Sequence, residues 1–209
     1  MKYIKSDELL ESVNSLPFFS ISNFKILKPN QTKVFLSRWT SQNKIIRLKR
    51  GVYVTKEFIN KIEKQNNKNN YLEFLACTLY KPSYLSTEYI LSKNNILSES
   101  VYSFTCITTN KTNKINNNFE VFNYNHIKDQ LFCGFKKKIK NQFQIYEANL
   151  AKALFDFLYL RKKILINKET IFNLRLNLDN LKKQDIKEFK NYVELEGSNK
   201  MKYIQNEIF

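Results

Sequence analysis

The stretch KVFLSRWTSQNKIIRLKRGVYV, Lys33 to Val54, decides the fold of the first part of the chain. At about 100° per residue, its first half predicts a helix, about Gln31 to Asn43, with Phe35, Leu36 and Trp39 on one side. The opposite side carries hydroxyls and positive charge: Ser37, Arg38 and Ser41, with Lys33 and Lys44 on its flank. Such a helix packs by its apolar side and offers its polar side to a groove.

The second half of the stretch predicts a β-hairpin from Ile45 to Val54. Two runs of strand-forming residues flank the tip, Lys49-Arg50-Gly51, and Gly51 permits the left-handed conformation that a tight turn needs. Arg47 and Tyr53 alternate with apolar residues, so one face of the hairpin is expected to pack inward.

Two shorter helices are predicted before this stretch, one from Asp7 to Leu16 with Ser6 as its N-cap, and one from Ser20 or Ser22 to about Leu27. Three helices followed by a hairpin, all within the first 55 residues, are the plan of a winged helix-turn-helix. We therefore predict a DNA-binding domain of this type over residues 1–60.

The rest of the chain predicts a second domain, which makes the fold class α+β. Residues 61–70 are polar and low in complexity, typical of a linker or of the frayed end of a helix. Residues 71–209 predict a small antiparallel sheet covered by helices, with a helical C-terminus. The predicted helices cover residues 71–80, 86–94, 147–162, 168–180, 184–194 and 198–208, and the predicted strands cover 102–108, 119–124, 131–137 and 142–146, with a polar loop at 110–118.

The formal net charge is +16, from 35 basic and 19 acidic residues. Such a surplus favours phosphate-bearing partners, either nucleic acid or an anionic membrane. An AT-rich coding sequence would explain the many lysines but not the shortage of acids. From Lys28 to Arg50 there are seven basic residues and no acidic one, and this segment holds three of the chain's five arginines. Because the arginine fork donates two bonds at once, it suits phosphate and guanine.

These patterns predict a set of contacts to double-stranded DNA: Lys33, Ser37, Arg38, Ser41, Lys44, Arg47, Lys49, Arg50 and Tyr53. The alternative is that the basic helix face is only solvated surface. Lys33 and Lys44 are expected to contact phosphate, which adds affinity without sequence information. Trp39 is expected to anchor the core rather than to stack on a base, whereas Tyr53 fits either role.

No catalytic set, cofactor or metal site is predicted. The only histidine is His126, and the carboxylates Glu120, Asp129, Glu147 and Asp156 are dispersed along the sequence. Cys77, Cys106 and Cys133 lack a metal-ligand spacing and are expected to be buried, reduced thiols. A second basic patch, Lys136, Lys137, Lys138 and Lys140, could contact DNA, RNA or an acidic protein, or be solvated.

A membrane span is not predicted. The most apolar window, Leu150 to Leu160, is far shorter than the roughly 20 residues that a span needs, and Lys152 and Asp156 interrupt it. The N-terminus has no apolar core of signal-peptide length, so the protein is expected to be cytoplasmic.

Four segments in order resemble the AbiEi family of antitoxins. FLSRWTSQNKIIRLKRGVYV (Phe35 to Val54) resembles the end of that family's winged helix. The other three are KPSYLSTEYILSKNNILSESVYSFTCITTNK (Lys81 to Lys111), FNYNHIKDQLFCGF (Phe122 to Phe135) and ANLAKALFDFLYL (Ala148 to Leu160). The resemblance covers roughly residues 6–160. Trp39 departs from it by replacing an aliphatic residue, and Leu150 and Ala151 stand where the family often has Pro or Glu.

The resemblance implies an antitoxin of a type IV toxin–antitoxin system in abortive infection, a form of phage defence. Its winged helix would repress the shared promoter by binding inverted repeats, with a dimer on DNA as one arrangement. The other domain would counter a nucleotidyltransferase-like toxin without forming a stable complex. Two alternatives remain open: a nuclease or nucleotide-modifying enzyme targeted by the winged helix, and a stand-alone transcription factor whose second domain senses a ligand or forms a dimer.

Overall fold

The computed structural model describes residues 6–24, 29–99, 101–117 and 119–209, and it confirms the α+β class. The chain divides into two compact units. Unit 1 comprises Met1–Leu72 together with Ile115–Glu120, and unit 2 comprises Glu73–Lys114 and Val121–Phe209. Unit 1 therefore takes a short segment from the later part of the chain.

Unit 1 combines helices with a three-stranded antiparallel sheet in the order β1-β3-β2. Its elements in chain order are α1 (Ser6–Glu11), β1 (Phe19–Ser20), α2 (Pro29–Ser41), β2 (Ile45–Lys49), β3 (Val52–Thr55) and α3 (Lys56–Lys64), followed by the start of α4 (Lys68–Leu79). The predicted helix and hairpin of the opening stretch are thus α2 and the pair β2–β3.

The beginning of unit 1 departs from the prediction. The helix predicted to end at Leu16 ends at Glu11. The amides of Val13, Asn14 and Leu16 donate three residues back instead of four, so the chain tightens into turns. The second predicted helix is replaced, as far as Asn23, by β1 and a 3-10 turn, Ile21–Asn23. The rest of that predicted helix, residues 25–27, lies outside the described residues.

The stretch 61–70, predicted as a linker or the frayed end of a helix, contains the end of α3 and the beginning of α4. α3 continues to Lys64 because Phe58, Ile59 and Ile62 form a buried stripe at helical spacing, and the Thr55 hydroxyl caps it by accepting from the Phe58 amide. α4 begins at Lys68, so only residues 65–67 lie between the two helices.

One core cluster of unit 1 gathers apolar side chains from α1, β1, α2, β2 and the connections on either side of β1: Leu9, Val13, Phe19, Phe24, Leu36, Trp39 and Ile45. Trp39 is 1% exposed, and its indole Nε1 donates to Ser6 Oγ at 3.0 Å. Trp39 is therefore the core anchor that the sequence predicts, and it fixes which side of α2 faces solvent.

Apart from the last two residues of β6, which belong to unit 1, unit 2 contains a six-stranded mixed sheet in the order β6-β7-β5-β4-β9-β8. The strands are β4 (Ser83–Leu85), β5 (Phe104–Thr108), β6 (Asn113–Asn116), β7 (Val121–His126), β8 (Phe135–Lys140) and β9 (Phe143–Ala148). The helices after α4 are α5 (Thr87–Lys93), α6 (Leu150–Arg161), α7 (Lys168–Phe172), α8 (Lys183–Glu196) and α9 (Asn199–Ile208).

The prediction of a small antiparallel sheet is wrong, because β5 runs parallel to β7 and β4 runs parallel to β9. Two strands, β4 and β6, were not predicted from the sequence. β4 has only three residues, and β6 lies inside the polar segment 110–118 that was predicted as a loop. After β5 the chain first forms β6 at the edge of the sheet. It then returns as β7, which lies between β6 and β5 and runs parallel to β5.

Helix boundaries in unit 2 follow local capping. α6 begins at Leu150 rather than at Glu147, because Asn149 accepts from the Lys152 amide at 2.7 Å and acts as the N-cap. The helix predicted over residues 168–180 ends at Phe172, and Arg175 lies in the left-handed region with φ 49°. Cys77 and Cys106 are buried and Cys133 is half-buried, and all three are free thiols. Over the described residues, every helix is too short or too polar to cross a bilayer.

Candidate nucleic-acid interface

The solvent side of α2 carries the residues that the sequence predicts there. Leu36 and Trp39 are 3% and 1% exposed, so the opposite face is turned to solvent. Lys33, Ser37, Arg38 and Ser41 are all exposed on that face. Ser41 Oγ donates to the Arg38 carbonyl at 2.8 Å, which leaves the lone pairs of this hydroxyl available as acceptors. The face is basic, rich in hydroxyls and without a carboxylate.

The hairpin of β2 and β3 closes through a two-residue connection, Arg50 and Gly51. Gly51 has φ +78°, and a Cβ built on it meets nothing within 4 Å, so the turn needs glycine for its backbone conformation rather than for space. Arg47 and Arg50 are exposed, and Lys49 is half-buried. Arg47 lies opposite Tyr53 in the register. The hairpin therefore presents two guanidinium groups near its tip.

A β-bulge in β2 gives the hairpin a second point of support. The register passes from Arg47–Tyr53 directly to Lys49–Val52, so Leu48 is the extra residue, and it is fully buried. Its carbonyl accepts a hydrogen bond of 2.7 Å from Asn117 Nδ2. Asn117 Oδ1 in turn accepts from the amides of Phe119 and Glu120, which makes its orientation rigid. The segment Ile115–Glu120 thus braces the hairpin from within unit 1.

Two of the predicted contact residues, Lys44 and Tyr53, contact side chains from the first twenty residues of the chain. The Lys44 ammonium lies 3.1 Å from Asp7 Oδ1 in an exposed ion pair. The Tyr53 ring is half-buried and stacks on Phe19, with ring centroids 5.9 Å apart. Tyr53 therefore packs against the core of unit 1, and a phosphate at Lys44 would compete with Asp7.

Sequence reasoning missed two residues on the solvent side of α2. Asn30 is exposed in the first turn, and Val34, one turn later, has 59% of its surface exposed. The helical projection already contained the signal, because Val34 falls beside Ser41 and far from Trp39 at about 100° per residue.

In unit 2, half of the second basic patch neutralises buried acids. Lys138 Nζ donates to Glu147 Oε1 at 2.6 Å, and Lys140 Nζ reaches Glu73 at 2.7 Å and Glu147 at 3.0 Å. Burial alone would raise the pKa of Glu147, but the hydrogen bonds from Lys138 and Lys140 outweigh it and lower the pKa to about 2. Lys136 and Lys137 are exposed, so they are the part of the patch turned to solvent.

Three of the four segments quoted for the family resemblance meet at one buried ionic group. Tyr84 and Ser86 donate to Asp156 Oδ2 at 3.0 and 2.7 Å, and Lys152 Nζ donates to Asp156 Oδ1. Lys152 and Asp156 are both fully buried. Burial raises the pKa of the Asp156 carboxyl, against the influence of Lys152 and the two hydroxyls. Removing one member of such a pair commonly costs about 3–5 kcal/mol, because the other charge is then buried without a partner, so the fold of unit 2 requires both Lys152 and Asp156.

The third segment packs against the same group through its glycine. A Cβ on Gly134 would collide with the Tyr192 hydroxyl and lie 2.9 Å from Lys152 Cγ, and the backbone φ is +73°, so glycine suits this position on both counts. Phe132 packs on Tyr84 with ring centroids 5.1 Å apart. The segments that carry the resemblance are therefore joined by packing and hydrogen bonds in unit 2.

Three of the residues weighed for catalysis, His126, Glu147 and Asp156, make contacts within unit 2. His126 Nδ1 lies 3.1 Å from the carbonyls of Thr109 and Asn110, which ties the end of β7 to the connection that follows β5. Asp156 is inaccessible to solvent and Glu147 is bound by lysines. Within residues 6–24, 29–99, 101–117 and 119–209, no three His, Cys, Asp or Glu side chains converge as metal ligands. Among known proteins, no family model and no curated sequence matches this chain.

Proposed function

We propose that unit 1 is a winged helix-turn-helix that binds double-stranded DNA, with α2 as the recognition helix and the β2–β3 hairpin as the wing. The observation that carries the proposal is the solvent side of α2. Lys33 and Arg38 are exposed there beside serine hydroxyls, and no acidic residue occurs from Lys28 to Arg50. A helix that is anchored by Trp39 and basic on its free side fits a major groove.

The wing adds contacts of a different kind. Arg47 and Arg50 are exposed and end in planar forks that bind phosphate through two hydrogen bonds. The bulge at Leu48 and the brace from Asn117 hold the strand that carries Arg47. We infer that the wing grips the DNA backbone while α2 contacts the bases.

The proposed role of the whole protein is that of an antitoxin that represses its own promoter. The order of the four AbiEi-like segments supports this role, and so does the meeting of three of them at the Lys152–Asp156 pair. In this proposal unit 2 counters a nucleotidyltransferase-like toxin without a stable complex, and unit 1 binds inverted repeats in the promoter, with two copies of the chain on one site. The protein is proposed to act in the cytoplasm without catalytic activity of its own.

The DNA-binding proposal is tested by fluorescence anisotropy with a duplex that covers the region upstream of the gene. Changing Arg47, Lys49 and Arg50 together to Ala removes three positive charges from the wing. We expect the slope of log affinity against log salt to fall by about three, with binding lost at moderate salt.

The matched control removes the same charge from unit 2, by changing the exposed residues Lys163, Lys187 and Lys190 to Ala. This control should bind the duplex nearly as the unchanged protein does. Promoter binding that survives the wing substitutions, or that falls equally in both triple variants, contradicts the assignment of the wing.

A further inference from the structure

Val34 is an anomaly on the surface of unit 1. Among its described residues, it is the only large apolar side chain with high exposure, at 59%. It lies on the solvent side of α2 between Lys33 and Arg38, where every other exposed neighbour is polar. An isolated exposed apolar residue is ordinary, but one at the centre of a basic face that is proposed to enter a groove has a specific chemical meaning.

The local structure does not account for valine at this position. β-Branched residues restrict their own rotamers in a helix and have lower helix propensity than lysine, glutamine or alanine. The core of unit 1 does not use Val34, because α2 buries Leu36 and Trp39 instead. The two methyl groups of Val34 therefore face solvent in the absence of a ligand.

Asn30 lies one turn before Val34 and is also exposed. Residues four apart on a helix are neighbours, with Cβ atoms about 5–6 Å apart. Asn30 is in the first turn of α2, which is the part of a recognition helix that contacts base edges. An amide that can donate and accept at once matches the N6 and N7 edge of adenine.

We propose that Asn30 and Val34 read A·T base pairs in the major groove. Val34 packs its methyl groups against the C5-methyl of thymine, and Asn30 forms two hydrogen bonds with adenine of the same or the adjacent pair. A G·C pair presents neither the methyl group nor the adenine edge. This inference rests on the proposed DNA-binding function and gives that function its sequence preference, which the charges of the wing do not supply.

The test removes single methyl groups from the DNA. In the upstream duplex, each thymine is replaced in turn by deoxyuridine, which lacks only the C5-methyl. We expect the affinity of the unchanged protein to fall about fourfold at one or two positions in each half-site, the effect of one buried methyl group. Val34→Ser should bind the thymine and deoxyuridine duplexes equally at those positions.

Serine suits this test because its helix propensity is close to that of valine and position 34 is exposed, so α2 should remain folded. Equal thermal melting of the two proteins checks this point. The same design applies to Asn30→Ala with 7-deazaadenine, which lacks the N7 acceptor.

The outcomes separate the two proposals. If the duplex is bound but deoxyuridine has no effect, or has the same effect on Val34→Ser, the reading by Val34 is wrong while DNA binding stands. If the unchanged protein does not bind duplex DNA at all, both proposals fail.

Discussion

Glu147, near the end of β9, is surrounded by ammonium groups from three lysines. Its carboxylate has a pKa lowered to about 2 in the folded protein against 4.5 in the unfolded chain. A carboxyl group whose pKa is lowered by folding contributes stability that is complete above its unfolded pKa and is lost as the pH falls towards its folded pKa. We expect this contribution, about 2 kcal/mol after screening by solvent, to disappear between roughly pH 5 and pH 2.

The corresponding variant is Glu147→Gln, which should lower the free energy of unfolding at pH 7 and flatten its dependence on pH below 5. Urea denaturation between pH 7 and pH 3 measures both effects. Glu194→Gln, at an exposed position on α8, serves as the control and should keep the pH dependence of the free energy of unfolding that the unchanged protein has below pH 5. An unchanged slope in Glu147→Gln would mean that the lysines around it do not stabilise the carboxylate.

Single residues were predictable where their role depends on their own helix or strand. Trp39 was identified as a core anchor from its place on the apolar side of α2, and it is 1% exposed. The partners of Lys44 and Tyr53 were not predictable, because Asp7 and Phe19 lie more than thirty residues earlier in the chain. Their proximity depends on packing that no local pattern contains.

At the scale of elements, the wing depends on a hydrogen bond from outside its own sequence. Asn117→Asp keeps the oxygen that accepts from the amides of Phe119 and Glu120 but loses the donor to the Leu48 carbonyl. We expect faster hydrogen exchange at the amides of β2 and β3, together with a several-fold loss of duplex affinity, because the wing is less ordered.

Asn117→Ala should loosen the 115–120 segment as well. In this variant, hydrogen exchange should become faster both at the amides of β2 and β3 and at those of Phe119 and Glu120. Exchange rates at the wing that stay unchanged in Asn117→Asp would show that the bond to Leu48 does not hold the hairpin. That result would leave the role of Arg47 and Arg50 untouched, since it concerns only the support of the strand.

Elements that depend on their own sequence were predicted, whereas elements that depend on pairing with a distant strand were not. α2 and the β2–β3 hairpin have strong periodicity and a turn glycine, and both are present close to the predicted bounds. Three of the four residues of β6, Asn113–Asn116, are polar, and its place at the sheet edge requires little burial. Its strand character comes from pairing with β7, which the sequence of β6 alone does not reveal.

At the scale of the whole molecule, the proposal assigns repression to unit 1 and toxin neutralisation to unit 2. The variant with Ala at Arg47, Lys49 and Arg50 should therefore lose promoter binding but still protect cells. Co-expression with the product of a neighbouring nucleotidyltransferase-like gene measures the protection as growth. If the wing variant fails to protect although it is present in equal amount and folded, the division of roles between the two units is wrong.

The segment Ile115–Glu120 has a consequence for how such a protein diversifies. Unit 1 is completed by residues that lie more than forty positions after its main stretch, which ends at Leu72. A single recombination event that exchanged the beginning of the gene would import a wing without its matching Asn117 brace. If unit 1 binds DNA as proposed, new operator preferences would thus arise more readily by substitution at exposed positions of α2, such as Asn30 and Val34, than by exchange of the entire unit.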